Sequence, residues 1–110
     1  MNKRIVDYKY FFFVGIGGIG MSALARHFNA MGKKVAGYDR VSSALTNALI
    51  EEGCEISFED NVAKIPKTHL KNKDTIIVYT PAISQEHCQL NYFKAKDFQV
   101  LKRSEVLGLI

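Results

Sequence analysis

The sequence holds little of what metal, redox or triphosphate chemistry ordinarily uses. It has two cysteines, Cys54 and Cys88, with no CxxC pair and no HxxxH pattern beside them. That spacing gives no zinc site, and both thiols are expected to be reduced and structural. His87 precedes Cys88, but adjacent residues on a helix point apart, so the pair reads as incidental. No G-x-x-x-x-G-K-[ST] loop occurs, which removes the usual ATP-binding turn. Neither a nucleophile elbow nor a metal triad appears, so no catalytic residue and no metal ligand is assigned. His27 and His69 are read as surface residues. The longest apolar run, Phe11 to Val14 continuing into glycines, falls well short of the ~20 residues that span a bilayer. Met1 to Lys9 mixes charge with apolar residues and lacks the apolar centre of a signal peptide. A cytoplasmic chain with no membrane partner is expected.

Charge is modest. Lys and Arg number 15 against 11 Asp and Glu, a formal +4. This excess suits an anionic ligand such as a diphosphate. It lacks the clustered stripe of a nucleic-acid surface, so no nucleic-acid partner is expected. Lys64, Lys67, Lys71 and Lys73 form one basic segment, and Lys94, Lys96, Lys102 and Arg103 another. Both read as solvated faces.

What is present is strand alternating with helix. At 110 residues the chain is one domain. Tyr10–Val14 is apolar throughout, as a strand buried on both faces requires. After a glycine-rich turn, Met21, Leu24, Phe28 and Met31 recur at helical spacing, which predicts a helix over Gly18–Met31. Gly32 closes it with a left-handed cap. Val35–Asp39 is a second strand. Ser42 or Ser43 caps a helix that ends at Gly53. Glu55–Phe58 is a third strand, and Asn61–Pro66 holds a weak helical turn. Thr75–Thr80 is a fourth strand, stopped by Pro81. Ser84 is expected to cap a helix running to about Lys96. Gln99–Leu101 is a fifth strand, and Ser104 is expected to cap a last helix. That helix is still apolar at Ile110, so the chain is expected to be a fragment of a longer enzyme. The pattern predicts an α/β fold: a Rossmann-like, doubly wound, parallel five-stranded sheet of order 3-2-1-4-5.

One motif carries chemistry. Gly15, Gly17 and Gly20 fit G-x-G-x-x-G after an apolar strand and at the opening of a helix. In the general reading of this fingerprint, Gly15 allows the tight turn, Gly17 lets a diphosphate approach the backbone, and Gly20 lets the helix pack on the sheet. Free amides and the helix dipole then favour a dianion. Asp39 ends the second strand, 19 residues after Gly20. A ribose-binding acid stands ~20 residues on in such folds. Its alternative is an ordinary turn aspartate before Arg40. In order 3-2-1-4-5 the ligand crevice opens between strands 1 and 4, and the loop after strand 4 is Thr80, Pro81, Ala82, Ile83 and Ser84. By residue type Ser84 serves a helix cap equally well.

These residues carry a resemblance. The run Tyr10 to Ala25, with Gly15-Ile16-Gly17-Gly18-Ile19-Gly20-Met21 at its centre, resembles the opening of the UDP-N-acetylmuramate–L-alanine ligases of the Mur ligase family. Gly37-Tyr38-Asp39 is similar to that family's G-S-D, Thr80-Pro81-Ala82-Ile83 to its S-[SP]-A-I loop, and Val100 to Leu107 to its V-x-x-R-[AS]-E-x-L segment. The resemblance implies a complete enzyme of three domains, acting in peptidoglycan biosynthesis. The first domain would bind UDP-N-acetylmuramic acid; the others would bind ATP with magnesium and L-alanine. This domain would hold no cofactor of its own and would be inactive alone. By resemblance, Gly15 to Met21 would contact the diphosphate, Asp39 the uridine side, and Thr80 to Ile83 the nucleotide from the opposite wall. Tyr38 departs from the usual serine, and its phenol would pack beside the base. Arg103 matches a family arginine, with a structural ion pair as its simplest role. Three other readings stay open: an NAD-binding domain of an oxidoreductase, a ligand-sensing module, and a sister ligase that adds a tripeptide to the same UDP-sugar.

Overall fold

The structure is a computed structural model that describes residues 3–110. Five strands form one parallel sheet in the order β3-β2-β1-β4-β5. They are β1 (Tyr10–Val14), β2 (Lys34–Tyr38), β3 (Glu55–Ser57), β4 (Thr75–Tyr79) and β5 (Gln99–Lys102). Four helices connect and cover them: α1 (Ile19–Ala30), α2 (Ala44–Glu51), α3 (Cys88–Ala95) and α4 (Arg103–Leu109). The predicted fold and strand order are those observed.

β1 lies at the centre. Phe12 pairs with Ala36 on one side and Ile77 on the other. Because strand side chains alternate, its aromatic run feeds two cores at once. Phe11 and Phe13 face α1, α2 and α4, packing with Phe28, Leu49 and Val106. Phe11 stacks on Phe28 with ring centroids 4.1 Å apart. Phe12 and Val14 face α3, packing with Leu90 and Phe93. Burial of each such phenylalanine stabilises the fold by roughly 2–3 kcal/mol. α1 and α2 cover one face; the segment before β4, and α3 after it, cover the other. The direction of crossing therefore switches between β1 and β4, which opens a crevice at their carboxyl ends.

The helix ends correct the sequence reading in two places. α2 begins as expected, with Ser43 Oγ accepting the Thr46 N–H at 3.2 Å. α3, however, begins at Cys88 and not after Ser84. Asp60 supplies its cap, its carboxylate accepting the N–H groups of Cys88 at 2.7 Å and Gln89 at 2.9 Å. Ser84 instead turns the preceding loop, its Oγ accepting the Glu86 N–H. α4 begins at Arg103, and Glu105 reaches back to the Lys102 N–H at 2.8 Å, so Ser104 is not its cap. A short helical turn at Val62–Lys64 bears out the expectation for Asn61–Pro66. Cys54 is buried, as a structural thiol should be, but Cys88 is exposed and packs into nothing; both are free.

His27 is exposed as expected. His69 is not: it is 3% exposed, beneath the amino ends of β1 and β2. Its Nε2 lies 3.0 Å from the Lys34 carbonyl and its Nδ1 2.9 Å from the Thr68 hydroxyl. A neutral ring satisfies both, with Nε2–H donating to the carbonyl and the hydroxyl donating to Nδ1. Burial lowers its pKa from the usual 6.5, against smaller raising effects from its backbone partners and Glu55. Such a ring takes up its proton first in the unfolded chain. Stability should therefore be level above about pH 7 and fall as pH drops from about 6.5 toward the folded value. Thermal midpoints between about pH 7.5 and 5.5 check this, and His69→Gln, which keeps a donor for Lys34, should make the slope shallower. An equal slope in the variant would place the proton uptake elsewhere.

Candidate functional site

The turn after β1 is folded back onto the end of β2. The N–H groups of Gly15 and Ile16 both donate to the Tyr38 carbonyl, at 2.8 and 2.9 Å. Gly15 has φ +92°, the left-handed conformation expected of the first glycine. The turn can approach this closely because Gly37 has no side chain. A Cβ there would lie 2.5 Å from the Phe13 carbonyl and 2.8 Å from Ile16 Cδ1. Sequence reasoning placed Gly37 only within a family motif, since nothing local marks a contact made across strands.

Asp39 then locks the turn. Its Oδ2 accepts the Gly17 N–H at 2.7 Å, and its Oδ1 accepts the Val41 N–H at 3.2 Å. This changes the reading of two glycines. A Cβ on Gly17 would meet Asp39 Oδ2 at 2.8 Å and Thr46 Cγ2 at 2.9 Å, so its missing side chain makes room for the aspartate. A Cβ on Gly20 would meet Arg103 Nη1 at 2.9 Å, so this glycine admits an arginine rather than the sheet.

Gly18 is the N-cap of α1 and offers no capping side chain. The next three N–H groups, of Ile19, Gly20 and Met21, have no acceptor among the described residues. Helix starts ordinarily satisfy such donors with Ser, Asp, Asn or water. Three bare donors and the positive end of a 12-residue helix give this turn the donors and the field that suit an anion. Two cations stand near it. Arg103 packs its guanidinium against Gly20, and no acidic partner lies within 4.0 Å of it among the described residues, so the expected ion pair is absent. Arg40 is exposed at the mouth of the crevice.

The crevice holds a cavity of about 540 Å³. One wall is Gly15, Gly18 and Met21; another is Tyr38, Asp39 and Arg40; the third is Thr80, Ala82, Ile83, Ser84 and His87. The structure thus brings Gly15, Gly18, Met21, Asp39, Thr80, Ala82 and Ile83 together, as the sequence reading required. Ile16 does not join them: it is fully buried and seated against Gly37. Ile19 points out and is 84% exposed. Gly17, Gly20 and Pro81 also lie off the cavity surface. A second cavity, of about 480 Å³, sits at the opposite end of the sheet around Gly32, Lys34 and His69. It has no converging amides, and ligands of open α/β sheets bind at the carboxyl ends.

Arg40 and His87 line the crevice without having been assigned to the site by any motif, and His87 packs against Tyr38, which the family resemblance places beside the base. The two rings meet edge to face with centroids 4.6 Å apart, and both are buried. Burial raises the Tyr38 pKa above 10, helped by Asp60 and Asp39. Burial lowers the His87 pKa below 6.5, opposed by Asp60. Both rings are therefore neutral near pH 7. His87 carries no motif; only the late start of α3 brings it to the crevice.

Residues 11–110 match the family described as Mur ligase family, catalytic domain. The chain belongs to the Mur ligase family. Among curated proteins it is 52% identical over 109 residues to the UDP-N-acetylmuramate–L-alanine ligase of Christiangramia forsetii, covering 98% of this chain and 24% of that one. It is 54% identical over 99 residues to the enzyme of the same name from Parabacteroides distasonis, covering 90% and 21%. The chain thus spans about a quarter of the length of these Mur ligases. Among solved structures it resembles the UDP-N-acetylmuramate–alanine ligase of Thermotoga maritima, with TM-score 0.78, 24% identity, and 89% of this chain and 21% of that one covered. It also resembles a murein peptide ligase from Psychrobacter arcticus, with TM-score 0.75, 20% identity, and 91% and 20% covered. Those two likenesses show a shared fold. No described helix of this Mur ligase chain is long and apolar enough to cross a membrane.

The Asp39 contact can be tested without ligand. Asp39→Ala should cost about 2 kcal/mol of unfolding free energy in urea, the scale of a lost charge-assisted hydrogen bond. It should also raise hydrogen exchange at the Gly17 amide. Unchanged exchange there would show that the carboxylate does not hold the turn.

Proposed function

We propose that this chain binds UDP-N-acetylmuramate, as the UDP-sugar-binding domain of an ATP-dependent ligase that adds L-alanine to that compound in peptidoglycan biosynthesis. The observation that carries this reading is the row of three unpartnered amides at the start of α1, beside the crevice and flanked by Arg40 and Arg103. A diphosphate presents the charge and the acceptor oxygens that such a row lacks. The diphosphate is assigned to the start of α1 from Gly18 to Met21, with Gly15 beside it. Ile16, which is buried, and Gly17, whose amide Asp39 takes, are withdrawn from that contact. Asp39 is assigned to the uridine side, and Thr80 to Ile83 to the facing wall. Backbone amides do the binding at Ile19, Gly20 and Met21. Asp39 acts first on the turn, and its remaining acceptor capacity serves hydroxyls.

Identity near 50% to proteins named as L-alanine ligases supports that amino acid over a peptide. The likeness to murein peptide ligases is at 18–20% identity. The NAD alternative shares the fold: a precorrin-2 dehydrogenase superposes with TM-score 0.56 at 18% identity. ATP and magnesium belong to the complete enzyme and do not fit here. The Gly15–Gly20 turn has no lysine or hydroxyl for a metal-bound triphosphate, and no group of three metal-ligating side chains occurs among the described residues. On this reading the chain binds and orients the sugar nucleotide, contributes no catalytic residue, and lacks ligase activity alone. The expected setting is the cytoplasm.

Calorimetric titration of the chain with UDP-N-acetylmuramate, UDP and NAD should show binding of the first two and none of the third. Gly17→Val drives a side chain into Asp39 and Thr46 and should weaken UDP binding by about tenfold, equivalent to ~1.4 kcal/mol, with the circular dichroism of the fold retained. NAD binding without a response to UDP, or unchanged UDP affinity in the variant, would remove the assignment.

A further inference from the structure

Among the described residues, one buried side-chain polar atom on a crevice-lining residue is left without a partner. His87 is 7% exposed and lines the cavity. Its Nδ1 accepts the Leu90 N–H at 3.3 Å and faces Asp60 Oδ1 at 3.3 Å. Its Nε2 is buried and has no hydrogen-bond partner. A neutral imidazole that accepts at Nδ1 carries its proton on Nε2, so the orphan atom is a donor. An unsatisfied buried donor costs about 1–3 kcal/mol, and folds seldom leave one without a water or ligand to receive it. Gln89 Oε1 is the other such atom found, but Gln89 does not line the crevice.

Nδ1 is committed as an acceptor to the Leu90 N–H, and the nearby Asp60 carboxylate is taken by the Cys88 and Gln89 amides and makes no hydrogen bond to it. The ring meets Tyr38 edge to face, and His87 is one of the residues lining the crevice. This corner lies on the wall of Thr80 and Ser84, across from the bare amides of α1. It is walled by an aromatic ring, and Arg40 is the formal positive charge on the crevice lining. Such surroundings suit a flat neutral base better than a phosphate. We infer that His87 is a specificity-determining residue, whose Nε2–H donates to a carbonyl oxygen of the pyrimidine base. The inference rests on the sugar-nucleotide reading above and adds how the base is told from other groups: uracil offers carbonyl acceptors where an amino group would repel the donor.

The test uses the variant His87→Asn. Asparagine is a good N-cap and keeps an acceptor for Leu90, but it loses the distal donor. UDP affinity should fall about tenfold, the scale of one buried hydrogen bond. Affinity for inorganic pyrophosphate should change less than about twofold, because pyrophosphate lacks a base. In the unmodified chain, the ¹⁵N resonance of His87 Nε2 should shift on adding UDP and stay still with pyrophosphate or ribose 5-phosphate. That measurement decides the matter should the variant fold poorly. A silent Nε2 with UDP bound, or equal UDP affinity in a folded variant, overturns the role of His87 while leaving the nucleotide site standing. An unmodified chain that does not bind UDP overturns both.

Discussion

The hydrogen bond from the Gly17 amide to Asp39 is the contact on which the site depends. At 2.7 Å it joins the turn after β1 to the end of β2. It occupies the Gly17 amide, which would otherwise be open to a ligand. The two further amides that bond Tyr38 carbonyl do the same work nearer the strand. Only after these are satisfied do the next three, at Ile19, Gly20 and Met21, remain open. The turn is a partly filled set of donors, and the unfilled part runs from the helix start to Met21, which lines the crevice.

The electrostatics follow from that division. A helix start without a capping side chain carries partial positive charge on its free N–H groups. Arg103 reaches it from α4 through the space that Gly20 leaves. A cation with no acidic partner, close to bare amides, gains most when an anion arrives between them. Asp39 is negative and stands in the same crevice, but its oxygens are engaged by the Gly17 and Val41 amides. The opposite wall is different in kind. Tyr38 and His87 are buried and neutral, and with Ile83 and Ala82 they make a surface for a flat uncharged group. One crevice thus offers a charged end and an aromatic end, the two halves that a nucleotide diphosphate has.

Much of this was legible before any coordinates. The apolar run of β1, the glycine spacing after it and the alternation of strand with helix gave the sheet and its order, because those signals are local and periodic. Asp39 was found by its distance from Gly20. Its bond to Gly17 was not, because the acceptor and donor are 22 residues apart. The start of α3 is hidden for the same reason, since Asp60 lies 28 residues from Cys88, whereas α4 turns on a local choice between Ser104 and Glu105. Ser84 and Ser104 are the right residue types for caps, but Asp60 and Glu105 present carboxylates to those amides. His69 reads as a surface residue because lysines surround it in sequence, yet its ring is buried with Nε2 3.0 Å from the Lys34 carbonyl, 35 residues away.

The sequence by itself determined the secondary elements, the strand order and the place of the glycine-rich turn. Each depends on residue type and spacing within one element or one crossover, and the chain cannot adopt them otherwise without burying charge or exposing its phenylalanines. The tertiary structure alone decided what each glycine makes room for, which carboxylate caps which helix, and that His87 meets the crevice with a donor unspent. Those outcomes depend on groups far apart along the chain, brought within 3–4 Å only when two sheet faces close around β1.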